Sequence, residues 1–157
     1  MEATHKLYLL RHAKAGARDD SSKTDIDRPL TPKGVVQSTS ISSFLVGRDI
    51  TEIISSPYKR CIQTVEPLSL EASIEIVESH ALGEETSSRE LQSLLEYVLA
   101  TANSTEQSSS IVLCTHGNVV PAIINALGLY SNDTILCAKG SLYEIDLVEK
   151  SISYREF

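Results

Sequence analysis

The sequence predicts an α/β fold, and three observations carry that prediction. Short β-type runs alternate along the chain with longer helix-type runs, with no internal repeat and no composition break. The run Ile111–Cys114 is continuously apolar, as in a strand covered on both faces. Leu91, Leu94, Leu95, Val98 and Leu99 recur at helical spacing and make one apolar stripe, the face of a helix laid on a core. At 157 residues the chain is read as one domain, 1–157, long enough to bury that core.

The elements follow in order. Lys6 to Leu10 is the first strand, and it runs directly into Arg11 and His12. The polar segment 13–30 is a surface loop. Thr31 is placed as an N-cap with Pro32 at the first helical position, and the helix extends to about Val46 with Gly47 just past its end. Glu52 to Ser55 is a second strand. Ser56-Pro57 repeats the cap-and-proline pattern and is expected to start a second helix, with Cys61, Val65 and Leu68 on one face. Pro67 is expected to kink or end it. Ile74 to Val77 is a third strand. Ser87 and Glu90 have capping-box spacing ahead of the leucine stripe. After the polar segment "NSTEQSSS", the strand Ile111–Cys114 leads into Thr115, His116 and Gly117. A helix follows from about Val119 to Leu127, closed by Gly128. The stretches "TILCAKGSLYEIDLV" and "SISYREF", joined by Glu149-Lys150, read as an antiparallel pair at the sheet edge.

Composition limits the partners. A net charge of −7 argues against a nucleic-acid or membrane-surface binder, which needs a basic face. Cys61, Cys114 and Cys137 form no C-x-x-C pair, so a structural zinc site is not expected, and they are read as small buried side chains suited to a reducing compartment. No apolar run has signal-peptide or membrane-spanning length, and the expected location is cytoplasmic. His5 and His80 are read as structural.

Two strands end alike: one in Arg11-His12, the other in Thr115-His116. In open α/β sheets ligands bind beyond the carboxyl ends of the strands. A neutral imidazole can attack phosphorus and carry a phosphoryl group, and a second histidine can donate to the phosphoryl oxygens. Such chemistry needs arginines nearby, whose planar forks hold two phosphate oxygens at once. Arg11 adjoins His12 but points to the opposite face of an ideal strand, so a turn must bring both into one pocket. Arg60 lies in the first turns of the helix after "SSPY", near a helix N-terminus that favours anions.

"LYLLRHAKAG", "DRPLTPKG", "IISSPYKRCIQTVEPL" and "VLCTHGN" occur in this order over residues 7 to about 148. Together they resemble the histidine phosphatase superfamily, also called phosphoglycerate mutase-like, and most of all its small SixA-type phosphohistidine phosphatases. The chain is also similar to the histidine phosphatase domains fused to Nudix domains in some bacterial proteins. The resemblance implies a three-layer α/β/α sandwich with a mostly parallel central sheet and an antiparallel edge. It implies that His12 is the phosphorylated nucleophile, that Arg11 and Arg60 clamp the phosphoryl group, and that His116 completes the pocket with the amides of Gly117 and Asn118. No metal or other cofactor is implied.

For the proton donor, "HALGEE" places Glu84 first and Glu85 second, in the L-x-E context many members carry. The usual glycine and tryptophan after that glutamate are missing, and SixA-type members lack the acid. A phosphohistidine has a good leaving group and can dispense with it, whereas an alkyl phosphate cannot. The first motif reads R-H-A-K where many members have R-H-G-E, so Lys14 adds charge beside the site, as a solvated loop residue or a contact to a substrate anion. Asp27, Arg28 and Thr31 are read as loop anchors and a cap. The expected partner is a phosphorylated small molecule (a sugar or small-acid phosphate or a nucleotide) or a phosphohistidine protein. The alternatives are a mutase of the same fold, disfavoured by the short chain, and a non-catalytic phosphate-binding module, which has no need of a nucleophile. A two-histidine metal hydrolase lacks the H-x-H or H-x-x-x-H pattern.

Overall fold

The computed structural model describes residues 2–17, 25–104, 106–129 and 135–157. Its centre is a six-stranded sheet built from β1 (His5–Arg11), β2 (Glu52–Ser55), β3 (Ile76–Glu78), β4 (Ser109–Thr115), β5 (Ser141–Asp146) and β6 (Ser151–Glu156). The order is β3-β2-β4-β1-β5-β6. The first four strands are mutually parallel, while β5 runs antiparallel to β1 and β6 antiparallel to β5. The mostly parallel sheet and its antiparallel edge are as the sequence predicts.

Among the described residues four α-helices cover it: α1 (Pro32–Leu45), α2 (Lys59–Ala72), α3 (Ser88–Ser104) and α4 (Val119–Ala126). Strand alternation explains the layering, because successive side chains point to opposite faces. Leu7, Leu9, Ile111 and Leu113 enter one core with Leu91, Leu95 and Val98 of α3 and Val120 and Ile123 of α4. Tyr8, Leu10, Val112 and Cys114 enter the other with Ile41 and Leu45 of α1 and Cys61, Val65 and Leu68 of α2. The result is the three-layer sandwich. The β4 strand is buried at every position, which is why its centre, Ile111–Cys114, reads as an unbroken apolar run.

Several local signals act as read. Thr31 caps α1 by accepting the Gly34 amide at 3.1 Å, with Pro32 at the first helical position. Ser87 and Glu90 bond each other's amides reciprocally at 3.1–3.2 Å. Gly128, at φ +70°, takes the left-handed turn after α4.

Others need correction. The second helix does not start at Ser56-Pro57. It begins at Lys59 after Tyr58, because the Ser56 hydroxyl is held by a histidine (below). Pro67 neither kinks nor ends the element as expected, for α2 continues to Ala72 with Val65 and Leu68 fully buried on either side of the proline. Packing of that apolar face outweighs one lost backbone hydrogen bond. The third strand starts at Ile76 rather than Ile74, because Ser73 adopts a left-handed cap, φ 55°, and the Ile74 amide closes the end of α2 on the Ser69 carbonyl. Gly47 lies past α1, but the left-handed residue there is Asp49, φ 54°. Leu99 is 37% exposed at the margin of the stripe whose centre, Leu91, Leu95 and Val98, is buried.

Candidate active site

The site lies at the carboxyl ends of β1 and β4, where Arg11 pairs with Thr115 in register, so His12 and His116 leave adjacent parallel strands side by side. Their ring centroids are 5.5 Å apart, edge to face. Both are buried, at 4% and 1% exposure. The His12 amide bonds the Thr115 carbonyl at 3.0 Å, and the next amide, of Ala13, bonds Thr64 Oγ1 of α2 at 2.9 Å. The turn after β1 is thereby tied to both neighbours.

His12 Nδ1 lies 2.8 Å from the carbonyl of Ala13. A proton on Nδ1 satisfies that contact and leaves the lone pair on Nε2, which accepts only a long hydrogen bond from Arg60 Nε at 3.4 Å. Burial lowers the His12 pKa from 6.5 to about 3, with Arg60, His116 and Arg11 adding to the fall and the bond to Ala13 opposing it. The ring is therefore neutral at physiological pH, the state a nucleophile requires.

Arg60 is fully buried and reaches every side of the pocket. Its Nε is 3.4 Å from His12 Nε2, one terminal nitrogen donates to the Asp25 carbonyl at 2.9 Å, and the other to Glu84 Oε1 at 2.9 Å and, loosely, to Asp25 Oδ2 at 3.5 Å. Its guanidinium also lies 4.8 Å from the centre of the Tyr58 ring. Arg11 donates to the Cys137 carbonyl at 2.5 Å, while its buried Nε has no partner, a donor left over for a ligand. Arg11 packs so closely on Gly117 that a Cβ there would come within 2.8 Å of Arg11 Cζ. Thus the turn brings Arg11 to the pocket, and the glycine of "CTHGN" makes room for it.

His116 is oriented by a residue read from sequence as a helix cap. Ser56 Oγ accepts the Tyr58 amide at 3.3 Å and lies 2.8 Å from His116 Nε2. If the hydroxyl proton goes to Nε2, the N–H of Nδ1 points into the pocket, where Glu84 Oε1 sits 3.5 Å away. The Tyr58 ring supports this imidazole edge-on at 4.7 Å. Asn118 Nδ2 donates to the Glu84 carbonyl at 2.9 Å, and Glu85 instead accepts from the Tyr58 hydroxyl at 3.1 Å. Arg11, His12, Glu84, Gly117 and Asn118 line an open cavity of about 430 Å³. Every residue named from sequence for the site is thus in or beside one pocket, with Glu84 in it and Glu85 outside its lining. Sequence reasoning missed Ser56, whose place in "SSPY" suggested capping, and Asp25, which carried no local signal.

The remaining candidates fall elsewhere. His5 bonds Ser109 inside the fold at 2.8 Å, His80 is exposed, and Arg28 anchors its loop on Asp25 at 3.1 Å. Cys61 and Cys114 are buried, and Cys137 is partly so. Among the described residues no group of three or more His, Cys, Asp or Glu side chains is arranged around a common point, and no helix is long and apolar enough to cross a membrane.

A three-layer α/β/α sandwich with two histidines at the ends of its central strands and two arginines, one at a strand end and one in the first turn of α2, beside them defines a class built to hold a phosphoryl group. The model of the histidine phosphatase superfamily (branch 1) matches residues 7–90, more than half of the chain. The chain belongs to that superfamily. It is 29% identical over 121 residues to an 8-oxo-(d)GTP phosphatase of Mycolicibacterium smegmatis; the match takes in 77% of this chain but 37% of that protein, so the chain spans little more than a third of its relative. Among solved structures it is similar to a protein of Agrobacterium tumefaciens assigned as the phosphohistidine phosphatase SixA (TM-score 0.74, 24% identity, 97% of each chain). It is also similar to a mycobacterial glucosyl-3-phosphoglycerate phosphatase (TM-score 0.72, 16% identity, 96% of each chain). At these identities the structural likeness shows the fold.

Proposed function

We propose that the protein hydrolyses a phosphate monoester or phosphohistidine by way of a phosphoryl group carried on His12, without a metal ion. The observation that supports this best is the state of His12: neutral, with Nδ1 engaged by the Ala13 carbonyl and Nε2 facing a pocket flanked by two guanidinium groups.

In this reading the substrate phosphoryl group enters between Arg11, Arg60 and His116. Its oxygens accept from Arg11 Nε, from the Arg60 terminal nitrogen now bonded to Glu84, and from the Nδ1–H of His116. Arg11 Nε and His116 Nδ1 are in place before the substrate arrives, and Arg60 exchanges the Glu84 carboxylate for a phosphoryl oxygen, so that donors surround the equatorial oxygens as their charge builds. His12 Nε2 forms a bond to phosphorus as the bond to the leaving oxygen breaks. Glu84, displaced from Arg60 and carrying a proton, passes it to that oxygen. Water then attacks the phosphorus, its proton goes to the Glu84 carboxylate, and the P–N bond breaks to release phosphate and neutral His12. Gly117 and Asn118 line the entry, and the Asn118 bond to the Glu84 carbonyl positions the acid.

The pocket is open, which suits an ester on a large molecule or a phosphorylated histidine on a protein. The presence of Glu84 supports an ester, and the name of the Mycolicibacterium relative adds nucleotides to the candidates. The test is hydrolysis of p-nitrophenyl phosphate in excess EDTA, with acid-labile phosphoenzyme trapped by rapid mixing. Wild type should turn over and label, and His12→Ala should do neither. Activity abolished by EDTA, or a labelled His12→Ala, would overturn the reading. Glu84→Gln should slow an alkyl phosphate at least tenfold more than phosphohistidine.

A further inference from the structure

We propose that Gln37 is a positioning residue for the nucleophile: its buried amide holds the peptide between Ala13 and Lys14 in the orientation that keeps the proton of His12 on Nδ1. This rests on His12 being the attacking group, as proposed above, and names the residue that prepares it.

The His12 tautomer is set by what its two nitrogens face. Nδ1 lies 2.8 Å from the Ala13 carbonyl, which can only accept, and Nε2 lies 3.4 Å from Arg60 Nε, which can only donate. The Ala13 carbonyl shares a rigid plane with the amide of Lys14, and in a trans peptide the two point in opposite directions. Whatever holds the Lys14 N–H therefore aims the Ala13 oxygen. That N–H donates to Gln37 Oε1 at 2.8 Å. Turning the plane over would break this bond and bring the N–H round to the ring. Nδ1 would then have to accept, the proton would move to Nε2, and the lone pair aimed at phosphorus would be lost.

The planes on either side are tied by other groups. The His12 carbonyl accepts the Gly140 amide at 2.9 Å, and the Ala13 amide donates to Thr64 Oγ1 at 2.9 Å. The Lys14 carbonyl accepts the Thr31 amide at 2.9 Å and the Thr31 hydroxyl at 3.1 Å. The plane between them has the imidazole on its carbonyl edge and Gln37 on its amide edge.

The Gln37 amide is itself fixed. It is buried, and its Nε2 donates to the Lys139 carbonyl at 3.1 Å and to the Phe157 carbonyl at 2.9 Å. One acceptor meets one donor, and two N–H groups meet two oxygens. Reversing the amide would set like against like at all three contacts. Glycines make the room: a Cβ on Gly140 would come within 2.8 Å of Gln37 Nε2, and one on Gly34 would overlap the Lys14 carbonyl. Thr31, Gly34 and Gln37 follow at three-residue spacing, so one face at the start of α1 receives the Lys14 carbonyl and its N–H together.

The test reads the proton directly. Nitrogen-15 NMR of histidine-labelled protein at pH 7, with the His12 signals identified by their loss in His12→Gln, should show a protonated Nδ1 and an unprotonated Nε2 in wild type. In Gln37→Met, which leaves the Lys14 amide without its acceptor, the proton should be found mainly on Nε2. Gln37→Lys keeps donors toward the Lys139 and Phe157 oxygens but offers the Lys14 amide no acceptor; it should give the same result, and it serves if Gln37→Met does not fold. Gln37→Glu keeps an acceptor there and should retain the wild-type pattern. In hydrolysis of p-nitrophenyl phosphate, Gln37→Met should lose about tenfold in kcat with KM within about twofold, because the reactive tautomer becomes scarce while the phosphoryl donors stay in place. A clamp that only holds the fold together would lower stability and leave the tautomer alone. An unaltered tautomer in folded Gln37→Met or Gln37→Lys, a tautomer lost equally in Gln37→Glu, or a wild-type proton on Nε2 would therefore overturn the proposal. Wild type inactive on every ester while the tautomer responds as expected would sink the phosphatase reading and leave the role of Gln37 standing.

Discussion

Gly117 shows how one residue governs the site. A Cβ at this position would sit 2.8 Å from Arg11 Cζ and 3.0 Å from two of its nitrogens. Gly117→Ala must therefore push the guanidinium out of place, and a misplacement of about 1 Å can cost on the order of 100-fold in rate. We expect kcat/KM to fall by about that factor while the unfolding midpoint changes little, since the arginine can shift toward the open cavity; steady-state kinetics beside thermal unfolding checks both. His12 makes a prediction about pH. Its pKa is about 3 in the fold and returns toward 6.5 on unfolding. Between those values the unfolded chain takes up a proton that the folded chain refuses. The stability is whole above pH 6.5 and falls as the pH drops toward 3, by about 1.4 kcal/mol for each unit below 6.5. Urea unfolding at pH 7 and pH 4.5 should show a drop of a few kcal/mol in wild type and a smaller drop in His12→Gln. An equal drop in both would mean that the imidazole is not held neutral.

At the scale of elements, the leucine stripe of α3 divides by depth. Leu95 is 4% exposed in the core under the sheet, whereas Leu99 is 37% exposed. Leu95→Ala should cost about 2–5 kcal/mol and Leu99→Ala well under half of that. Removing the cap of the same helix with Ser87→Ala should cost about 1 kcal/mol, because the Glu90 amide loses its hydroxyl acceptor and Glu90 Oε2 loses the hydroxyl donor, while the bond from the Ser87 backbone amide survives. Denaturant midpoints at constant slope would verify the order Leu95, Ser87, Leu99 or refute it. The α2 helix carries the opposite lesson. Local signals alone predict an earlier start and a break at its proline, whereas tertiary bonds from Ser56 and apolar packing around Pro67 set the helix at Lys59–Ala72.

Across the whole molecule, the two cores share the strands β1, β2 and β4, whose alternating side chains feed both. We propose that residues 1–157 form one domain and lose both cores together. A single transition, coincident by fluorescence of the tyrosines and by far-ultraviolet circular dichroism, is the expected result; separate transitions would show two units. The same sheet assembles the site, because β1 and β4 are neighbours in parallel register and deliver His12 and His116 from positions over a hundred residues apart in the chain.

The sequence by itself determined the α/β class, the parallel core strand, the capped helices α1 and α3, and the residues His12, Arg11, Arg60, His116 and Glu84 as members of one site. These were legible because periodicity, capping and strand-end position are local properties, and because four ordered motifs carried the family likeness. Only the tertiary structure decided that Ser56 orients His116 instead of capping a helix, that Asp25 and Glu84 share Arg60, that Glu85 turns to Tyr58, and that Gln37 joins the loops of Lys14 and Lys139. Each of these is a bond between segments distant in sequence. A hydroxyl, a carboxylate or an amide carries no mark of which partner the fold will bring within 3 Å, and that choice is made by the packing of strands and helices around it.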